Sequence, residues 1–176
     1  MINVKAIVVR EHGLEVSEIQ KPVPKQGEAL IRIEWASVCG SDYPLLNGLS
    51  DKSHLIRRVM GHEGAGSVIE PAAGFQVGEK VAFESHRARA EWLQQGKDPY
   101  ADPEFAIIGY RGFSNQKPPQ GTWAEFISVP TVYLHRIAKE LYDYYPGSLW
   151  EPLGNSIRLA SFINNEFMKC IIASYI

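Results

Sequence analysis

The sequence predicts a mainly β domain with a few short helices, and three observations carry that expectation. Apolar and polar residues alternate in several short stretches, the period of a half-buried strand. Glycine and proline, 15 and 11 of 176 residues, fall mostly between those stretches and mark turns. With 45% hydrophobic and 22% charged residues, the composition is that of a globular chain able to bury a sizeable core.

Taken in order, residues 2–9 are rich in β-branched side chains and residues 14–19 alternate, with His12-Gly13 between them, so the chain is predicted to open on a hairpin. After Pro22, Pro24 and Gly27, alternation returns over 29–38 through Leu30, Ile31, Ile33, Trp35 and Val38, which sets Cys39 at a strand end. Ser41 and Asp42 are good helix-starting residues and Pro44 is tolerated in a first turn, giving a short helix through Leu45 and Leu46 that stops at Gly48. Residues 51–59 are polar and basic and read as a loop. Three glycines within 61–66 permit close backbone approach or positive φ around His62.

Strands follow over 67–70 and 80–84, with Gly74 and Gly78 bracketing the turn between them. Residues 85–119 change character. Residues 87–95 are helix-compatible through Ala88, Trp92 and Leu93, whereas Pro99, Pro103, Pro118 and Pro119 make the remainder a surface lobe. Strand character resumes over 122–129, and 132–134 is compatible with an extension. After Pro146-Gly147, the apolar residues Leu153, Ile157, Leu159 and Ala160 predict a helix over 152–163, and 168–173 reads as the start of a buried strand.

A formal net charge of -2 and the lack of a Lys/Arg cluster give no electrostatic reason to expect nucleic acid or an acidic membrane as partner. The beginning of the chain lacks a basic region followed by a long apolar stretch, and no run approaches a membrane span, so a soluble, untargeted, cytoplasmic protein is expected. Cys39 and Cys170 are compatible with one disulfide, but a cysteine in a polar, glycine-containing turn is equally a metal ligand.

Chemistry concentrates around that turn. A catalytic zinc takes three protein ligands from thiolate, imidazole and carboxylate and keeps one position open. Cys39, His62 and Glu63 supply one of each, and Glu151 is a further carboxylate that the fold can bring to them. Each has a plainer reading. A lone cysteine is more often a small buried residue, a lone histidine can be a satisfied loop residue, Ser41 and Asp42 can simply start a helix, and Glu151 suits the positive end of the helix that follows it. Their joint occurrence favours the metal.

The segments Val38-Cys39-Gly40-Ser41-Asp42, Gly61-His62-Glu63-Gly64-Ala65-Gly66, Val77-Gly78-Glu79-Lys80-Val81, Gly121-Thr122-Trp123-Ala124-Glu125-Phe126 and Glu151-Pro152-Leu153-Gly154-Asn155 occur in the order and approximate spacing of the zinc-dependent medium-chain alcohol dehydrogenases. The chain most resembles their polyol and threonine dehydrogenase branches. The resemblance covers the amino-terminal catalytic domain and implies a GroES-like distorted β-barrel over 1–150. It implies that 151–176 forms the connecting helix and first strand of a truncated nucleotide-binding Rossmann domain. It also implies one catalytic zinc on Cys39, His62 and Glu151, with Glu63 as a fourth ligand that exchanges with water. Asp42 would orient His62, and Ser41 would take the proton of a small-molecule secondary alcohol, polyol or amino alcohol while hydride leaves for NAD(P).

The sequence departs from that pattern in three places. Pro44 stands where many relatives carry a proton-passing histidine. The lobe that often holds four cysteines around a structural zinc contains none, with Arg89 and Trp92 near two of those places, so no structural zinc is expected. Glu84 and His86 are similar to a threonine dehydrogenase active-site pattern, or are equally a surface histidine beside a solvated acid. No dinucleotide-binding glycine fingerprint follows any strand, so NAD(P) is expected to act only if the missing domain is supplied, and the chain alone is expected to be inactive. The alternative is a noncatalytic GroES-like binding or assembly module with a remnant zinc site. The apolar tail around Phe162, Phe167 and Ile171-Ile172 points to a homo-oligomer.

Overall fold

An antiparallel hairpin opens the chain, β1 (Asn3–Arg10) with β2 (Gly13–Gln20), paired from Asn3↔Gln20 to Arg10↔Gly13. The computed structural model describes residues 2–47, 51, 53–72, 74–112, 119–144, 152–154 and 156. Along the chain follow β3 (Glu28–Ala36), α1 (Asp42–Leu46), β4 (Gly64–Glu70), β5 (Lys80–Phe83) and β6 (His86–Arg87). Then come α2 (Ala90–Gln94), β7 (Ala106–Ile107), β8 (Phe126–Pro130), β9 (Leu134–Arg136) and α3 (Lys139–Tyr144).

Antiparallel pairing orders the main sheet β8-β3-β4-β5-β9. The pleat sends alternate side chains to opposite faces, and Ala29, Ile31, Val68, Val81, Phe83, Ile127 and Val129 meet in the larger core. The hairpin is joined to the rest through Ile7 N–H to the Trp123 carbonyl at 2.8 Å and Val9 N–H to the Arg58 carbonyl at 2.9 Å. A second core forms there from Val8, Val9, Leu45, Leu55, Met60 and Trp123. That core positions the stretch carrying His62.

The mainly β class and the opening hairpin agree with the sequence reading, while several boundaries do not. β3 stops at Ala36, so Cys39 lies beyond the strand: Ala36 pairs with Gly64, where β4 begins, and past it the two chains keep a long backbone contact, Ser37 N–H to the Glu63 carbonyl at 3.4 Å. β4 starts at Gly64 rather than at residue 67, because the glycines let it lie flush on β3. A Cβ on Gly64 would sit 2.9 Å from the Trp35 carbonyl oxygen, and one on Gly66 would collide with the Arg32 carbonyl. The loop expected over 51–59 contains a 3-10 turn, Ser53–Leu55, whose Leu55 is fully buried.

The helix expected over 87–95 shrinks to α2, since His86 and Arg87 pair with Ile107 and Ala106 across the lobe. Residues 122–125 lie outside β8, and 132–134 does not extend it: a 3-10 turn, Thr131–Tyr133, redirects the chain so that β9 pairs with β5 at the far edge of the sheet. α3 escaped the sequence reading. Of the helix expected over 152–163, residues 152–154 and 156 are helical. Gly48, Glu151, Cys170, the strand over 168–173 and the apolar tail lie outside the described residues. Among the described residues no helix is long and apolar enough to cross a membrane.

Candidate metal centre

Two loops bonded to one another build the site. Thr122 N–H donates to the Gly61 carbonyl at 2.9 Å, Trp123 N–H to the Met60 carbonyl at 3.0 Å, and the Thr122 hydroxyl to the Glu63 carbonyl at 3.0 Å. This close approach requires glycine at 61, whose φ is 90° and whose added Cβ would lie 2.6 Å from Trp123 Nε1. His62 and Glu63 are thereby held at 8% exposure each.

Cys39 arrives from the other side. Asp42 N–H donates to the Cys39 carbonyl at 3.0 Å while Cys39 N–H donates to Asp42 Oδ2 at 2.9 Å, closing a turn that aims the half-buried thiol. Ser41 precedes α1, but its side chain makes no capping hydrogen bond. Its Oγ lies 3.5 Å from His62 Nε2. The helix-starting role read for Ser41 is therefore not one its hydroxyl performs.

Potential ligand atoms of Cys39, His62 and Glu63 all lie within 4.8 Å of one another. Behind them His62 Nδ1 faces Asp42 Oδ1 at 3.6 Å. Both atoms are buried with no hydrogen-bond partner, and Asp42 is fully buried. Burial pushes the Asp42 carboxyl pKa up; the Cys39 amide and His62 oppose the rise, and the nearby Glu63 charge adds to it. An imidazole with Nδ1 toward this carboxyl presents Nε2 to the side of Cys39, Glu63 and Ser41. Zinc bonds of about 2.0–2.3 Å put one ion within reach of all three donors after small side-chain rotations, and thiolate, imidazole and carboxylate are its usual ligands. The residues fit the metal.

Of the other sequence-predicted residues, Glu84 and His86 are not part of this cluster and have other partners. Glu84 accepts from His135 Nε2 at 3.0 Å, which holds its carboxyl below the usual range. The His86 ring makes tilted contacts with Tyr100 and Phe105, with centroids at 4.6 and 5.1 Å. Glu151 lies outside the described residues. In the lobe, Arg89 does not stand idle: its Nε and a terminal nitrogen clasp Asp102 at 3.1 and 2.8 Å, and its backbone N–H also donates to Asp102, at 2.8 Å. These bonds hold the Asp102 carboxyl at about 2.

Sequence reasoning missed Ser37 altogether and assigned no role to Thr122. Ser37 Oγ donates to Glu63 Oε2, and Trp123 Nε1 donates to the Ser37 carbonyl at 3.0 Å. No spacing rule singles out a serine two residues before a cysteine; the pairing needs β3 and β4 side by side.

Comparison with known proteins follows the same lines. Residues 25–139 match the alcohol dehydrogenase GroES-like domain. L-threonine 3-dehydrogenase of Pyrococcus furiosus is 31% identical over 153 residues, 84% of this chain and 42% of that protein. The solved 2R,3R-butanediol dehydrogenase from Bacillus subtilis superposes with a TM-score of 0.68 at 26% identity, over 86% of this chain and 44% of that one. Haloferax mediterranei glucose dehydrogenase, solved in complex with NADP, Zn and gluconolactone, gives 0.67 at 28% identity, over 80% and 40%. The chain spans about two-fifths of the length of these relatives.

Proposed function

Because the chain belongs to the alcohol dehydrogenase family through its GroES-like domain, we propose that it is the metal-binding half of a zinc-dependent oxidoreductase. Its substrate would be a small secondary alcohol, polyol or amino alcohol. The observation that carries this reading is the convergence of Cys39, His62 and Glu63 within 4.8 Å, with Asp42 behind the imidazole. The threonine and butanediol dehydrogenases among its relatives support the substrate class.

In this reading Cys39, His62 and Glu63 hold one zinc, with Glu151 as a further ligand and Glu63 as the one that exchanges. A zinc ion held there would supply Lewis acidity toward an alcohol oxygen. Asp42 keeps the His62 proton on Nδ1, leaving Nε2 free to ligate. The Ser41 hydroxyl, exposed at the mouth of the cluster, takes the proton of the alcohol. NAD(P) would supply the hydride acceptor only where a nucleotide-binding domain holds it; we read 151–176 as the connecting helix and first strand of such a domain and 1–150 as the metal-binding domain. The lobe is clasped by Arg89 and Asp102 in place of a structural zinc. The apolar residues Phe162, Phe167 and Ile171-Ile172 support self-association, and the working compartment is the cytoplasm.

Elemental analysis of protein purified without chelator tests the proposal, with Cys39→Ala and Glu151→Ala in parallel. About one zinc per wild-type chain, lost in Cys39→Ala, is expected. No zinc even after reconstitution would remove the metal site and leave a noncatalytic barrel.

A further inference from the structure

Glu63 is tied down more thoroughly than a ligand that merely happens to be near a metal site. Its carbonyl accepts from the Thr122 hydroxyl at 3.0 Å and from Ser37 N–H at 3.4 Å, and its side-chain Oε2 accepts from Ser37 Oγ. The side-chain bond coexists with the approach of Glu63 to Cys39 and His62. Ser37 itself is fixed through its backbone, since Trp123 Nε1 donates to its carbonyl at 3.0 Å. Its hydroxyl is therefore delivered by an anchored segment rather than by a free loop.

We propose that Ser37 is a positioning residue for metal binding: its hydroxyl restrains Glu63 Oε2 and so aims the carboxylate at the ion shared with Cys39 and His62. The inference rests on the metal-site reading above. A carboxylate on a free side chain must be ordered when the ion arrives, whereas one already hydrogen-bonded has lost that freedom, and outer hydrogen-bond partners commonly set metal affinity by about 10–100-fold. Because the anchor to Trp123 uses the Ser37 backbone, removing the hydroxyl leaves it in place. Position 37 thus separates orientation from folding.

Cobalt(II) is the probe, since its absorption reports both thiolate ligation and coordination geometry while its titration gives affinity. The full chain is compared with Ser37→Ala, Ser37→Thr, Glu63→Gln and the Ser37→Ala/Glu63→Gln double variant, with Cys39→Ala as the control for the thiolate band. Ser37→Ala is expected to bind about 10-fold more weakly with an altered visible spectrum and unchanged far-UV circular dichroism. Ser37→Thr, which keeps the hydroxyl, is expected to restore most of the affinity. In the Glu63→Gln background, Ser37→Ala should cost little further, because the serine acts through the glutamate. If the wild-type chain binds with a Cys39-dependent band and Ser37→Ala matches it, the role of Ser37 is overturned while the metal site stands. Equal losses in both backgrounds would overturn it too, by making the serine a purely structural residue. Absence of any Cys39-dependent binding in wild type would overturn both.

Discussion

Asp42 and Gly61 determine the site at the scale of single residues. Asp42 is a fully buried carboxyl facing His62, an arrangement with no packing benefit of its own. Asp42→Asn keeps the size and the acceptor for the Cys39 amide but loses the carboxylate that faces the imidazole and, in the proposed reading, orients it. Zinc affinity is expected to fall about 10-fold or more, measured by competition with a chelating dye, with the fold retained by circular dichroism. Gly61→Ala meets both a φ of 90° and the Trp123 ring, so it is expected to destabilise the chain by at least about 2 kcal/mol in urea unfolding. The glycines around His62 signalled close approach in the sequence. What they approach, Thr122 and Trp123, is distant along the chain and emerges only in the fold.

Elements are joined by two polar clusters. Glu34 on β3 accepts from Lys80 Nζ of β5 at 2.6 Å, Ser67 Oγ of β4 at 2.6 Å and the Tyr142 hydroxyl of α3 at 2.9 Å, latching the helix to the sheet. Burial raises the Glu34 pKa, but the bonds from Lys80, Ser67, Tyr142 and Arg32 outweigh it and hold the carboxyl at about 2. A folded pKa below the unfolded one contributes stability that is complete above about pH 5 and disappears as pH falls toward 2. Discounted for solvent screening of a side chain 21% exposed, that contribution is about 1–2 kcal/mol. Glu34→Gln should lose it at pH 7 and flatten the acid limb of stability against pH. The second cluster is the Arg89–Asp102 clasp of the lobe, reinforced by Arg89 to Glu104 at 3.2 Å. Arg89→Ala is expected to speed limited proteolysis within 84–112, and Arg89→Lys to restore only part of the protection, because an ammonium cannot make the paired contacts of a guanidinium.

For the whole molecule, a site assembled from β3's exit, α1 and the start of β4 exists only when the fold does. The zinc binding we propose would then be linked to folding. At free zinc 100 times the dissociation constant the stabilisation is about 2.7 kcal/mol, which raises the thermal midpoint by about 5–10 °C for a chain of this size. Scanning calorimetry with and without zinc should show that rise in wild type and lose it in Cys39→Ala. An equal rise in both would place the metal elsewhere.

The sequence by itself determined the mainly β class, the opening hairpin and the chemical identity of the cluster. Alternation and turn residues are local properties written in neighbouring positions, whereas the residue types of Cys39, His62 and Glu63 are legible in the sequence and their convergence is made by the fold. It also exposed the cysteine-free lobe. Only the tertiary structure decided where β3 ends, because a strand stops when its partner does, and Ala36 meets the first residue of β4. Likewise, only the fold paired Ser37 with Glu63 and Arg89 with Asp102, and turned Tyr142 onto Glu34. Those bonds join residues far apart in the chain, whose meeting depends on sheet order and on the burial that makes an unpaired polar group costly.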